Sequence, residues 1–73
     1  MMKRNIRIEL DALLKELQMN LANNYKDLAH DALKELHRVL EEYHDSGVLK
    51  DRDYRKYKSV ADEYSVRMAN YHH

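Results

Sequence analysis

The side chains here that could do chemistry are five histidines, six tyrosines and a short basic run. His30, His37 and His44 are spaced by seven, so on a helix they fall along one flank. Glu41 lies four residues after His37 and three before His44, a spacing compatible with a transition-metal site. Residues seven apart on a helix are separated by ~10 Å along the axis, so one ion cannot be held by all three histidines. The plainer reading makes them amphipathic residues at the edge of a core. A flank of histidines also gains charge below about pH 6.5, so a metal- or pH-responsive assembly is a further reading. No cofactor is expected and no metal is assigned; His37, Glu41 and His44 are the residues a metal would use. His72 and His73 close the sequence and are either native or the remnant of a tag.

Every aromatic residue is a tyrosine: Tyr25, Tyr43, Tyr54, Tyr57, Tyr64 and Tyr71. A tyrosine buries a large ring but needs a partner for its hydroxyl. A seam of tyrosines therefore suits a thin core whose ring tips reach water, or an interface with another protein. Arg52, Arg55, Lys56 and Lys58 follow the one glycine and interleave with Tyr54 and Tyr57, a combination that can bind nucleic acid. Asp51 and Asp53 dilute that cluster, and a solvated helix face explains it more simply. Nothing points to catalysis. There is no Cys nucleophile and no Gly-rich phosphate loop, and the serines lack an activating neighbour. The expectation is a non-enzyme with no small-molecule substrate.

The elements that position these residues are helical. The chain has no Pro and one Gly, and it is rich in good helix formers. Ile6, Leu10, Leu14, Leu17, Leu21, Tyr25, Leu28, Ala32, Leu36, Val39 and Tyr43 recur in steps of four, four and three, an eleven-residue repeat that keeps one stripe on a nearly straight helix. Gly47 is the natural left-handed residue after a helix, with Val48 able to fold back on the last turn. Asp51 or Asp53 can cap the next helix. That helix carries Tyr54, Tyr57, Ala61, Tyr64, Met68 and Tyr71 as a heptad seam, with Val60 beside it. So short a turn makes the two helices antiparallel neighbours. It sets Tyr54 near Tyr43, Tyr57 near Val39 and Leu40, and Ala61 near Leu36. Further along it sets Tyr64 near Ala32 and Leu33, Met68 near Leu28 and Ala29, and Tyr71 near Tyr25.

The first half has two readings. The unbroken stripe favours one helix from about 4 to 45, ~63 Å long at 1.5 Å per residue. The last helix covers about half of that, so Ile6, Leu10, Leu14, Leu17 and Leu21 would need a second chain. The fold expected on this reading is all-α, an antiparallel helical hairpin with a long first helix that dimerises into a bundle. The alternative breaks at Asn23–Asn24, since Asn is a poor helix former and a good cap, and gives a compact three-helix bundle. Ile8, Ala12 and Met19 lie off the main stripe as a second, thin apolar face, and a helix apolar on two faces touches two neighbours.

Residues 1–73 are expected to form a single domain. Thirteen basic residues balance thirteen acidic ones, which argues against non-specific binding to nucleic acid or membrane. Acidic residues interrupt the basic, partly apolar start too early for a signal peptide, and no run approaches the ~18 apolar residues of a membrane span. The absence of Cys is compatible with a reducing cytoplasm. The function expected first is a small helical protein–protein interaction module of the regulator or adaptor type. It would homodimerise through Ile6, Leu10, Leu14, Leu17 and Leu21, with Ile8 and Met19 beside them, or offer that groove to a partner helix. A nucleic-acid-associated regulator using the basic cluster is the alternative.

Overall fold

The computed structural model describes residues 3–69. It contains three helices: α1 (Arg4–Ala22), α2 (Lys26–Asp45) and α3 (Asp51–Ala69). The continuous first helix favoured by the stripe is not formed, and the alternative break at Asn23–Asn24 is. The bundle is 39 Å in its longest dimension, too short for a helix running from 4 to 45.

The break is a Schellman turn. Asn24 takes the left-handed conformation at φ 64°. The Tyr25 N–H donates to Asn20 C=O at 2.8 Å, and the Asn24 N–H donates to Leu21 C=O at 3.0 Å. These are the six-to-one and five-to-two bonds that close a helix end. Asn is one of the few non-glycine residues that enters the left-handed region readily, so no Gly is needed. The apolar stripe keeps phase on both sides because α1 and α2 each use it, folded against one another.

Gly47, at φ 83°, ends α2 as its position implied. The Gly47 N–H donates to His44 C=O at 3.1 Å. The chain then closes one residue later than expected, with the Leu49 N–H donating to Tyr43 C=O at 3.0 Å. Leu49 is consequently the fully buried plug of this turn, and Val48 is only partly buried. Asp51 and Asp53 both sit inside the first turn of α3. The carboxylates are favourable there beside the N-terminal dipole, but neither occupies the capping position assigned to them above.

α2 lies at the centre. Its Ala29, Ala32, Leu33, Leu36, Val39 and Leu40 meet Ile6, Leu10 and Leu17 of α1, Leu49 of the turn, and Ala61 and Met68 of α3 in one core. Tyr25 and Leu28, placed in the stripe above, are instead more than half exposed. Tyr25 became the residue before α2, and Leu28 falls on the flank of its first turn, outside the line from Ala29 through Leu36. The Tyr71 pairing and the His72–His73 pair lie outside the described residues.

α1 and α3 both pack on α2 but not closely on each other. No Cα of one comes within 8 Å of a Cα of the other. Long side chains span the gap. The Tyr57 hydroxyl donates to Asp11 Oδ1 at 2.7 Å, and Gln18 Nε2 donates to the Tyr64 hydroxyl at 3.1 Å. Both pairs are separated by 46 residues, so α1 and α3 run parallel in a fixed register.

Candidate functional site

The first candidate is the outer face of α1. Ile6, Leu10 and Leu17, expected to meet a second chain, are buried against α2, and Leu14 and Leu21 are partly buried there. The stripe is consumed inside the monomer, which removes it as a docking groove. The thin second face is left uncovered by the chain's own core. Ile8 and Met19 are 56% and 54% exposed, and Ala12 between them is exposed as well. Leu17 stands nine residues from Ile8, half a revolution away at about 100° per residue. The strip is therefore opposite the core. Lys15 lies on the same face and makes no hydrogen bond or ion pair with any described residue.

The outer face of α2 has the opposite character. Arg38 reaches Glu35 and Glu42, each at 2.7 Å. The Arg38 hydrogen bond lowers the Glu35 carboxyl below its ordinary range, and Glu35 raises Arg38 in return. This surface is internally matched and offers a partner little.

The second candidate is the polar seam between α2 and α3. His44 stands in the last turn of α2, and its Nε2–H donates to Asp51 Oδ1 in the first turn of α3 at 2.6 Å. Its ring stacks on Tyr54, with centroids 3.9 Å apart and planes 11° from parallel. The Tyr54 hydroxyl donates to Glu41 Oε2 at 2.5 Å, and Lys58 Nζ approaches the same oxygen at 3.7 Å. The Tyr54 hydrogen bond holds Glu41 below the usual carboxylate range, with the Lys58 and His44 charges adding to it. Asp51 is lowered by the hydrogen bond and charge of His44. Tyr54 is pushed up to about 12, chiefly because ionisation would forfeit its bond to Glu41. Tyr54 was expected opposite Tyr43. It lies one residue further along, on His44, while the Tyr43 hydroxyl turns to Glu9 of α1 at 2.5 Å.

His37 does not join Glu41 and His44. Lys58 Nζ donates toward its Nδ1 at 3.5 Å, and its Nε2–H donates to Ser65 Oγ at 3.1 Å. The Ser65 hydroxyl passes on to Ala61 C=O at 3.1 Å. That chain engages both ring nitrogens, so His37 has no lone pair to give a metal. Its place is taken by Asp45. Glu41, His44 and Asp45 offer donor atoms that all lie within 4.8 Å of one another. His30, seven residues before His37 on the same flank of α2, is exposed and makes no contact with this cluster.

The basic cluster is divided. Arg52, Arg55 and Lys56 are exposed, but Lys58 is turned into the α2–α3 seam and also meets Asp62 at 3.7 Å. A hollow along α3, bordered by Arg55, Ser59, Asp62, Val66 and Arg67, is walled by that helix alone and mixes both signs of charge. Among the described residues, no helix is long and apolar enough to cross a membrane.

Asp45 and Leu49 were the residues that sequence reasoning missed. Asp45 carried a signal, since it is four residues after Glu41 and adjacent to His44. Leu49 follows Gly47 by two, where a turn that closes late buries the second apolar residue. No family model, curated protein or solved structure matches the chain.

Proposed function

We propose that the protein is a small helical protein–protein interaction module of the regulator or adaptor type, and that it binds through the outer face of α1. One observation supports this most directly: α1 is apolar on two opposite faces, and only one of them is covered by the chain's own core. A helix of that kind is built to lie between two neighbours. Ile8 and Met19 are already about half covered, so covering the rest of each gains roughly half of the ~1.5–3 kcal/mol of full burial, and a partner helix laid along the strip gains from both ends of it. The occupant is a helix of a partner protein or of a second copy. The reading is non-enzymatic and cytoplasmic, as suits a Cys-free chain whose hydroxyls and carboxylates pair along helix seams.

The test is selection of amphipathic helical peptides from a displayed library against the full chain, with affinities then measured against a double variant, Ile8→Glu with Met19→Glu. These side chains face away from the core, so the variant should keep its helical circular dichroism. The selected peptides should bind it at least about tenfold more weakly, as expected when a contact patch is charged. Peptides that bind parent and variant equally would place the interaction elsewhere. Sedimentation of the parent at high concentration distinguishes a second copy from a foreign helix.

A nucleic-acid reading has less support. Lys58 is tied to Glu41 and Asp62, and Arg52, Arg55 and Lys56 are too few to make a phosphate track.

A further inference from the structure

We propose that Glu41, His44 and Asp45 form a binding site for one divalent transition-metal ion of the zinc class at the C-terminal end of α2. The three residues come from the last turn of α2, and one ligand atom of each already lies within 4.8 Å of those of the other two. Metal–ligand distances of about 2.0–2.2 Å require these side chains to draw closer together.

The surrounding contacts prepare these atoms for a metal. His44 donates Nε2–H to Asp51, which leaves Nδ1 as the nitrogen with a lone pair to give. A carboxylate on the second ring nitrogen is the arrangement that fixes the tautomer of a metal-binding histidine and raises its basicity. Stacking on Tyr54 fixes the plane of the ring. Glu41 takes both Tyr54 and Lys58 on Oε2, so Oε1 is the oxygen left for an ion. Asp45 makes no hydrogen bond or ion pair with any described residue. Asp51 and Tyr54 thus act from outside the ligand set, one behind the histidine and one behind the glutamate. The site also stands where the last carbonyls of α2 give the helix its negative end, which favours a cation. One imidazole with two carboxylates suits zinc, nickel or copper better than magnesium or calcium. With three protein ligands, the remaining positions fall to water or to a donor from a bound partner.

The experiment is a zinc titration of the full chain at pH 7, read by melting temperature and by the NMR shifts of the histidine rings. It is carried out in parent and in a His72→Ala, His73→Ala background, so that the terminal pair cannot supply the signal. Zinc in about hundredfold excess over the dissociation constant should raise Tm by several degrees through mass action, and the His44 ring signals should shift. Magnesium at the same concentration should do neither. His44→Ala should abolish the zinc-induced rise, measured against that variant's own metal-free Tm, and Asp45→Asn should weaken zinc binding about tenfold. His37→Ala should leave the rise in place. No rise at millimolar zinc, or one that survives His44→Ala, would overturn the proposal.

Discussion

The two seams of α2 are built from different chemistry. Toward α1 the contact is aliphatic, with Ile6, Leu10 and Leu17 buried. α3 contributes only Ala61 and Met68 as buried residues. Four tyrosine hydroxyls reinforce the bundle: Tyr54 to Glu41, Tyr57 to Asp11, Tyr64 to Gln18, and Tyr43 to Glu9 between α1 and α2. Three of those four rings belong to α3. The α1–α2 seam thus rests mainly on the removal of apolar surface from water, while α3 is held by rings half in water whose hydroxyls meet the Glu41 and Asp11 carboxylates and the Gln18 amide. pH reaches the first through the Tyr43–Glu9 bond, whose carboxylate holds the Tyr43 proton more tightly than usual, and reaches α3 through Tyr54 and Tyr57. Stability should therefore be graded across the molecule, with α3 the helix that opens first.

The largest break in this contrast comes from Leu17→Asp. Burying a charge in the α1–α2 seam should unfold the whole chain, seen as loss of the helical circular dichroism signal at 25 °C, because there is one core and Leu17 is wholly inside it. Leu10→Ala should cost about 2–5 kcal/mol in urea denaturation while the transition stays cooperative. Met68→Ala removes the largest fully buried side chain of α3 and should cost about 2 kcal/mol, the lower end of that class. Hydrogen exchange should then show α3 amides opening while those of α1 and α2 hold. Uniform loss of protection would show that the seams are not separable.

The pH dependence sharpens the same contrast. Tyr54 and Tyr57 are both pushed up to about 12, Tyr57 by burial first and by Asp11 second. A group that holds its proton more tightly when folded stabilises the fold below its unfolded value and withdraws that stability as pH rises through the folded one. α3 should therefore loosen between about pH 10 and 12, seen as tyrosinate absorbance rising together with loss of helix. Tyr54→Phe with Tyr57→Phe should flatten that step. On the acid side the sign reverses. Glu41 and Asp51 are lowered, so their contribution is present above the ordinary carboxylate range and fades as pH falls through it. Melting temperature should drop on acidification below about pH 4, and Asp51→Asn should make the drop shallower. The smallest effect belongs to Asn24→Ala, which should cost about 1 kcal/mol in chemical denaturation by forcing a Cβ-bearing residue without an Asn side chain into the left-handed region.

Much of this was legible in the sequence, for reasons that particular residues make plain. Helix formers and a lone Gly47 fixed the class and one turn, and the length of that turn fixed the partner register well enough to place Ala61 and Leu36 in one core. The break at Asn23–Asn24 was visible only as an alternative. A stripe that keeps phase reads the same whether its helix runs straight or doubles back, and Asn at φ 64° leaves no mark as plain as Gly. The choice was settled by the apolar surface of Ile6–Leu21, which finds α2 before it finds another chain. At the α2–α3 seam, the sequence brought His44 to Glu41 but could not see Ser65 and Lys58 turning His37 away, because those contacts depend on how the two helices are rotated.

An odd number of helices has a consequence for how the chain could be joined to others. α1 sets out from one end of the 39 Å bundle, and α3, parallel to it, finishes at the other. Copies fused in tandem would follow one another end to end and extend as a rod, where a two- or four-helix unit would return to its starting side. A short peptide linking the last turn of α3 to the first turn of α1 could not close the molecule into a circle. Each unit would act as a spacer of fixed polarity, with every α1 outer strip running the same way along the array.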